Sequence, residues 1–127
     1  MERVIFLLAG YVLGLIQTGY IFGKTKNIDI REYGSGNAGA TNTLRVLGKK
    51  AGFIVFLGDF LKALIPCLLV RYSFRGEVNT GDIYMLYTGF GVVLGHSYPF
   101  YLKFKGGKGV ASIAGILTAV DLRITLV

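Results

Sequence analysis

The residues with the most chemistry to offer sit together in Gly34-Ser35-Gly36-Asn37-Ala38-Gly39-Ala40-Thr41-Asn42, with Arg45 three positions on. Three glycines within six residues permit tight, positive-φ backbone whose N–H groups can point inward, and a hydroxyl, two amides and a guanidinium stand beside them. That is the composition of an anion cradle. A second stretch, Phe104-Lys105-Gly106-Gly107-Lys108-Gly109-Val110-Ala111-Ser112, runs straight into an apolar segment. Glycines, a lysine and a helix start in that order suggest exposed N–H groups, a favourable dipole and a positive point charge, a second place for an anion.

Two further groups qualify. His96 is the only histidine, and hence the only side chain with an unperturbed pKa near neutrality. It fits either a general base or a hydrogen-bonded structural residue, and the structural reading is preferred. Asp59 and Lys62, three residues apart, share one helical face near the middle of an apolar segment, where an ionised group is costly unless paired or turned to a polar interior. They fit an internal ion pair that fixes helix packing, the preferred reading, or the lining of a polar pocket beneath the first glycine-rich loop.

Several familiar chemistries fail on context. Gly34-x-Gly36-x-x-Gly39 matches a dinucleotide fingerprint in letters only, because its neighbours are long apolar segments and not a βαβ unit. Gly107-Lys108 lacks the upstream glycine and the following Ser or Thr of a P-loop. Ser35 has no nucleophile elbow, and no His, Glu or Cys cluster supports a metal; Cys67 is the single cysteine and excludes a disulfide framework.

The elements that must position these groups are membrane helices. Of 127 residues 53% are hydrophobic and 17% charged, and the mean hydropathy is +0.57, outside the range of a soluble domain of this size. The composition predicts an all-α integral membrane protein, a multi-span helical bundle forming a single membrane domain over residues 1–127. Spans are expected at about 4–23, 51–70 and 83–102, each long enough for a hydrocarbon core of about 30 Å, with a shorter apolar segment at 109–120. The first run is too long for a signal peptide and ends without a cleavage pattern. Gly10-x-x-x-Gly14 and Gly19-x-x-x-Gly23 should let a neighbouring helix approach closely, Gln17 has no evident role, and Pro66 should kink the second span.

A net charge of +7 would suit nucleic acid, but nine of the 14 basic residues fall in the two glycine-rich loops. By the positive-inside tendency these loops are cytoplasmic and the N-terminus lies outside. A short interfacial helix should follow the first glycine turn, within 37–50, with its N-terminus near Ser35 and Asn37. Two basic cradles on one membrane face suggest two phosphate-bearing groups, one of them on a lipid. The other class that fits is a membrane module that binds or transports an organic phosphate.

Taken together, the Gly34 to Asn42 run with Arg45, the Gly58-Asp59-Phe60-Leu61-Lys62 stretch, and Gly95-His96 with Pro99 and Phe104 to Ala111 resemble the bacterial acyl-phosphate:glycerol-3-phosphate acyltransferases, the PlsY family. The resemblance covers essentially the whole sequence in order. It implies acyl transfer from a fatty acyl phosphate to the 1-hydroxyl of glycerol 3-phosphate, giving lysophosphatidic acid at the cytoplasmic face of the bacterial inner membrane. It implies no metal and no cofactor, with substrate-assisted catalysis in place of an acyl-serine. By motif, Ser35, Arg45 and Lys108 would be catalytic, Gly36, Asn37, Asn42, Gly106, Gly107 and Gly109 would bind substrate, and Asp59, Lys62 and His96 are further candidates. The partners implied are glycerol 3-phosphate, fatty acyl phosphate and membrane lipids, not nucleic acid. Family members carry a third cytoplasmic motif with a histidine and an asparagine beyond the point where this sequence stops, so the site is expected to need a further contribution.

Overall fold

The computed structural model describes residues 1–121 and 123, and within them the chain is helical without strands. Six α-helices form in order: α1 (Glu2–Gly14), α2 (Thr18–Thr25), α3 (Ala40–Leu47), α4 (Lys49–Ser73), α5 (Thr80–Ser97) and α6 (Val110–Val120). Single 3-10 turns at Ile30–Glu32 and Phe100–Leu102 sit in the two glycine-rich loops. The protein is an integral membrane helical bundle. Glu2–Thr25 and Lys49–Ser73 are long and apolar enough to cross a bilayer, whereas α6 is shorter.

Packing follows membrane logic, with small residues inside and large apolar ones outside. Only Gly10 and Gly14 of α1 are buried, while Val4, Ile5, Leu8 and Val12 are exposed. A Cβ at Gly10 or Gly14 would run into the α5 backbone at Thr88 and Val92, and one at Gly91 or Gly95 into the α1 backbone at Leu7 and Tyr11. The two helices therefore meet backbone to backbone through matched glycine pairs, an approach closed to any larger residue. Gly19 and Gly23 do something else: they abut Ala38 O and the Ile28–Ile30 backbone, so the second spacing seats the first loop and not a neighbouring helix.

One expected element ends early. The stretch expected at 83–102 is α-helical only over Thr80–Ser97, because Pro99 pushes Tyr98 out of helical geometry (φ −131°, ψ 59°). Lys103 and Phe104, both at positive φ, then turn the chain. Pro66 sits within α4 without ending it. Asp121 Oδ1 accepts a hydrogen bond from Arg123 N at 2.9 Å.

The first apolar run is two helices, not one. It opens between Leu15 and Gln17, where no proline or glycine requires a break. The freed carbonyls are taken by side chains from elsewhere: Lys62 Nζ donates to Ile16 O at 2.6 Å and to Gly14 O at 3.4 Å, and Tyr101 Oη donates to Leu15 O at 2.5 Å. Non-helical backbone at membrane depth survives only where its polar groups find such partners.

Candidate active site

The loop between α2 and α3 is built on Asn42, which is 2% exposed. Its Oδ1 accepts from Ser35 N at 2.9 Å, and its Nδ2 donates to Ile30 O, Tyr33 O and Asn37 O at 3.2, 2.9 and 2.9 Å. One amide thus closes a loop that has no ladder of its own. Asn37 makes a local turn, its Oδ1 accepting from Gly39 N at 2.9 Å, which leads the chain into α3. Asn42, grouped on sequence with the substrate-binding residues, has both ends of its amide engaged by the backbone and holds the loop's shape.

The loop between α5 and α6 is held by close backbone packing. Gly106 N donates to Ser97 O at 3.0 Å and Gly107 N to His96 O at 3.2 Å. A Cβ at Gly106 would meet His96 O, and one at Gly107 would meet His96 Nε2. The expected cradle of free glycine N–H groups is therefore not formed at these two positions, since both donate within the protein and both glycines are present because nothing larger fits. Gly109, at φ 79°, turns the chain into α6.

Both loops border one cavity of about 380 Å³. Ser35, Asn37 and Arg45 line it from the first, and Lys108, Gly109 and Val110 from the second. The first turns of α3 and α6 both reach it, at Ala40 to Asn42 and at Val110 to Ala111. Helix first turns carry N–H groups without intrahelical partners and the positive end of the dipole. Arg45 and Lys108 are exposed, and neither pairs with an anion among the described residues. Two free cations and two helix N-termini on one cavity make a site for a polyanion. Gly36, Gly106 and Gly107 are set back from it.

The floor comes from α4 and α5. Asp59 and His96 line the cavity at 2% exposure each, with Lys62 behind them. Lys62 Nζ is 3.1 Å from Asp59 Oδ1 and 2.7 Å from His96 Nδ1. The internal ion pair and the pocket lining, alternatives on sequence, are thus both present. Ser112 Oγ donates to Asp59 O at 3.1 Å and ties α6 to the same place.

Sequence reasoning missed three parts of this arrangement. Gln17, fully buried, donates from Nε2 to His96 O at 2.8 Å and to Gly95 O at 3.2 Å, joining the helix break to the second loop. Arg31 clamps the loops together: it pairs with Asp29 Oδ2 at 2.7 Å and donates to Leu102 O at 3.2 Å and Lys105 O at 3.4 Å. That hydrogen bond holds the Asp29 carboxyl below the usual carboxylate range and Arg31 above its own. Phe56 adds an aromatic wall. Gln17 was the one legible signal, as an amide inside an apolar run.

A family model described as glycerol-3-phosphate acyltransferase matches residues 4–127. The chain belongs to the glycerol-3-phosphate acyltransferase family. It is 44% identical over 126 residues to the glycerol-3-phosphate acyltransferase of Aquifex aeolicus, covering 99% of this chain and 64% of that protein. It is 47% identical over 128 residues to that of Thermoanaerobacter sp. strain X514, covering 100% and 62%. The crystal structure of PlsY (YgiH), an integral membrane glycerol 3-phosphate acyltransferase, in its glycerol 3-phosphate form superposes with a TM-score of 0.86 at 43% identity, covering 99% of this chain and 61% of that one. Its lysophosphatidic acid form gives 0.84 at 42% identity, covering 99% and 60%. The chain thus spans about three fifths of the length of the family members it matches.

Proposed function

We propose that this chain carries the phosphate-binding half of an enzyme that transfers a fatty acyl group from acyl phosphate to the 1-hydroxyl of glycerol 3-phosphate. The hydroxyl oxygen forms the ester bond, the carbonyl carbon to phosphate-oxygen bond breaks, and the hydroxyl proton leaves with a substrate phosphate. Lysophosphatidic acid and inorganic phosphate result. The observation that carries this reading is that Arg45, Lys108 and the N-termini of α3 and α6 meet on one cavity without a protein anion to neutralise the two cations.

An acyl phosphate is already activated, so the protein's task is to align two phosphates and offset their repulsion by fixed positive charge. Arg45 and Lys108 clamp phosphates, and Ser35 Oγ with Asn37 Nδ2 contacts phosphoryl or carbonyl oxygen. The two basic loops face the cytoplasm at the bacterial inner membrane and the N-terminus lies outside, as the concentration of Lys and Arg in those loops favours.

The test is a vesicle-reconstituted assay with labelled glycerol 3-phosphate and palmitoyl phosphate, read as lysophosphatidic acid formed. Arg45→Ala and Lys108→Ala should each lower kcat/KM by about 10² or more, as expected for removing one preorganised contact to developing or bound charge. Unchanged kcat/KM in both variants overturns the assignment. Uptake of label into the lumen without product would make the site a transporter's.

A further inference from the structure

We infer that His96 presents an Nε2–H donor to an oxygen of the phosphate-bearing ligand in this cavity, and that Lys62 is a positioning residue that fixes this tautomer from behind. The inference rests on the cavity being a phosphate site.

The tautomer follows from counting donors. An ammonium has three N–H groups and no acceptor. Lys62 Nζ hydrogen-bonds Ile16 O at 2.6 Å, His96 Nδ1 at 2.7 Å and Gly14 O at 3.4 Å, and Asp59 Oδ1 stands 3.1 Å away as its ion-pair partner, outside hydrogen-bond geometry. All three protons are thereby directed, and Nδ1 must accept. A proton on Nδ1 would face the ammonium at 2.7 Å, donor against donor. The ammonium is the charge partner of the Asp59 carboxylate 3.1 Å away, each offsetting the other's buried charge. With Nδ1 accepting, the proton of a neutral imidazole is on Nε2.

Nε2 is turned the other way, towards the second loop. It lies against the space where a Gly107 Cβ would stand, with Asn37 Oδ1 beside the same space, and His96 borders the cavity. Among the described residues Nε2 has no hydrogen-bond acceptor, whereas the His96 carbonyl has two donors, Gln17 Nε2 and Gly107 N. Nε2 is thus the one polar atom of His96 without a partner among the described residues, and the residue borders the cavity. An N–H without a protein acceptor beside the cavity is open to a ligand oxygen there. This also assigns the opening of the α1–α2 run a purpose: it supplies the carbonyls that orient Lys62.

His96 is the only histidine of the chain, so its tautomer can be read directly. Chain labelled with 15N-histidine in detergent micelles is recorded by long-range 1H–15N correlation, free and titrated with glycerol 3-phosphate, with binding followed in parallel by calorimetry. We expect a neutral Nε2–H imidazole whose Nε2 resonance moves and saturates with the calorimetric Kd. In Asp59→Asn/Lys62→Met, which removes both buried charges together, the spectrum should become a tautomer mixture. His96→Gln, whose amide nitrogen falls near Nε2, should bind glycerol 3-phosphate about tenfold more tightly than His96→Asn, whose amide falls near Nδ1.

An Nδ1–H or charged imidazole in the wild type overturns the inference. So does equal binding by the Gln and Asn variants, and an unaltered tautomer in the double variant removes Lys62 from it. If glycerol 3-phosphate binds while Nε2 stays unmoved, the donor role fails and the phosphate site stands. If nothing binds, the phosphate site fails and the donor role with it.

Discussion

The two glycine-rich loops reach the same cavity by opposite means. The first is held by a side chain: Asn42 gathers four backbone groups, and Gly34 and Gly36 adopt positive φ around it. The second is held by main chain on main chain, Gly106 and Gly107 pressed on His96 and Pro99. The lesson is that glycines of the same apparent kind do different work. In the first loop they permit a backbone shape; in the second they permit proximity, and the shape follows from what lies beneath.

That contrast can be broken loop by loop, with stability measured by thermal unfolding in micelles and function by glycerol 3-phosphate binding. Gly106→Ala should have the largest effect, because the new methyl meets the His96 carbonyl and Pro99 Cδ, which are fixed backbone and ring; a loss of about 3 kcal/mol is expected, with binding lost too. An unaltered midpoint would show that the second loop rests on something other than this contact. Asn42→Ala comes next, at about 2 kcal/mol, since it strands Ser35 N and three carbonyls that water reaches only in part. Asn42→Asp should bind glycerol 3-phosphate still more weakly, adding a negative charge beside the cavity.

Arg31→Ala tests whether the loops are coupled. It removes the clamp to Leu102 O and Lys105 O, which is partly exposed, so the expected cost is about 1 kcal/mol with faster proteolysis of both loops. Acid should do the same more gently. Because the folded-state Asp29 carboxyl titrates below its ordinary value, its contribution is present above about pH 4 and is lost as pH falls through the lower folded value. The difference in unfolding midpoint between wild type and Asp29→Asn should therefore shrink on acidification below that range, and a constant difference would remove the pairing from the clamp.

The comparison also separates what was legible from what was not. Apolar run length identified the helices, since a helix in lipid needs a set number of residues whatever it packs against, and α4 (Lys49–Ser73) and α6 (Val110–Val120) fall where the runs at 51–70 and 109–120 place them. Arg45 and Lys108 were legible as cations beside glycines, and both line the cavity. The roles of Asn42, Gly106 and Gly107 were not, because a glycine or an amide reads the same in sequence whether it meets a ligand or its own backbone.

By itself, then, the sequence determined an all-helical membrane bundle and two basic, glycine-rich loops, because run length, hydropathy and charge act residue by residue. Only the tertiary structure decided that the first run opens at Leu15 to Gln17, that Lys62 fills the opening, and that His96 therefore faces the cavity. Neither proline nor glycine stands within that break at 15–17. It exists because Lys62 and Tyr101, 46 and 86 positions away along the chain, satisfy carbonyls that a lipid interior would otherwise force back into a helix.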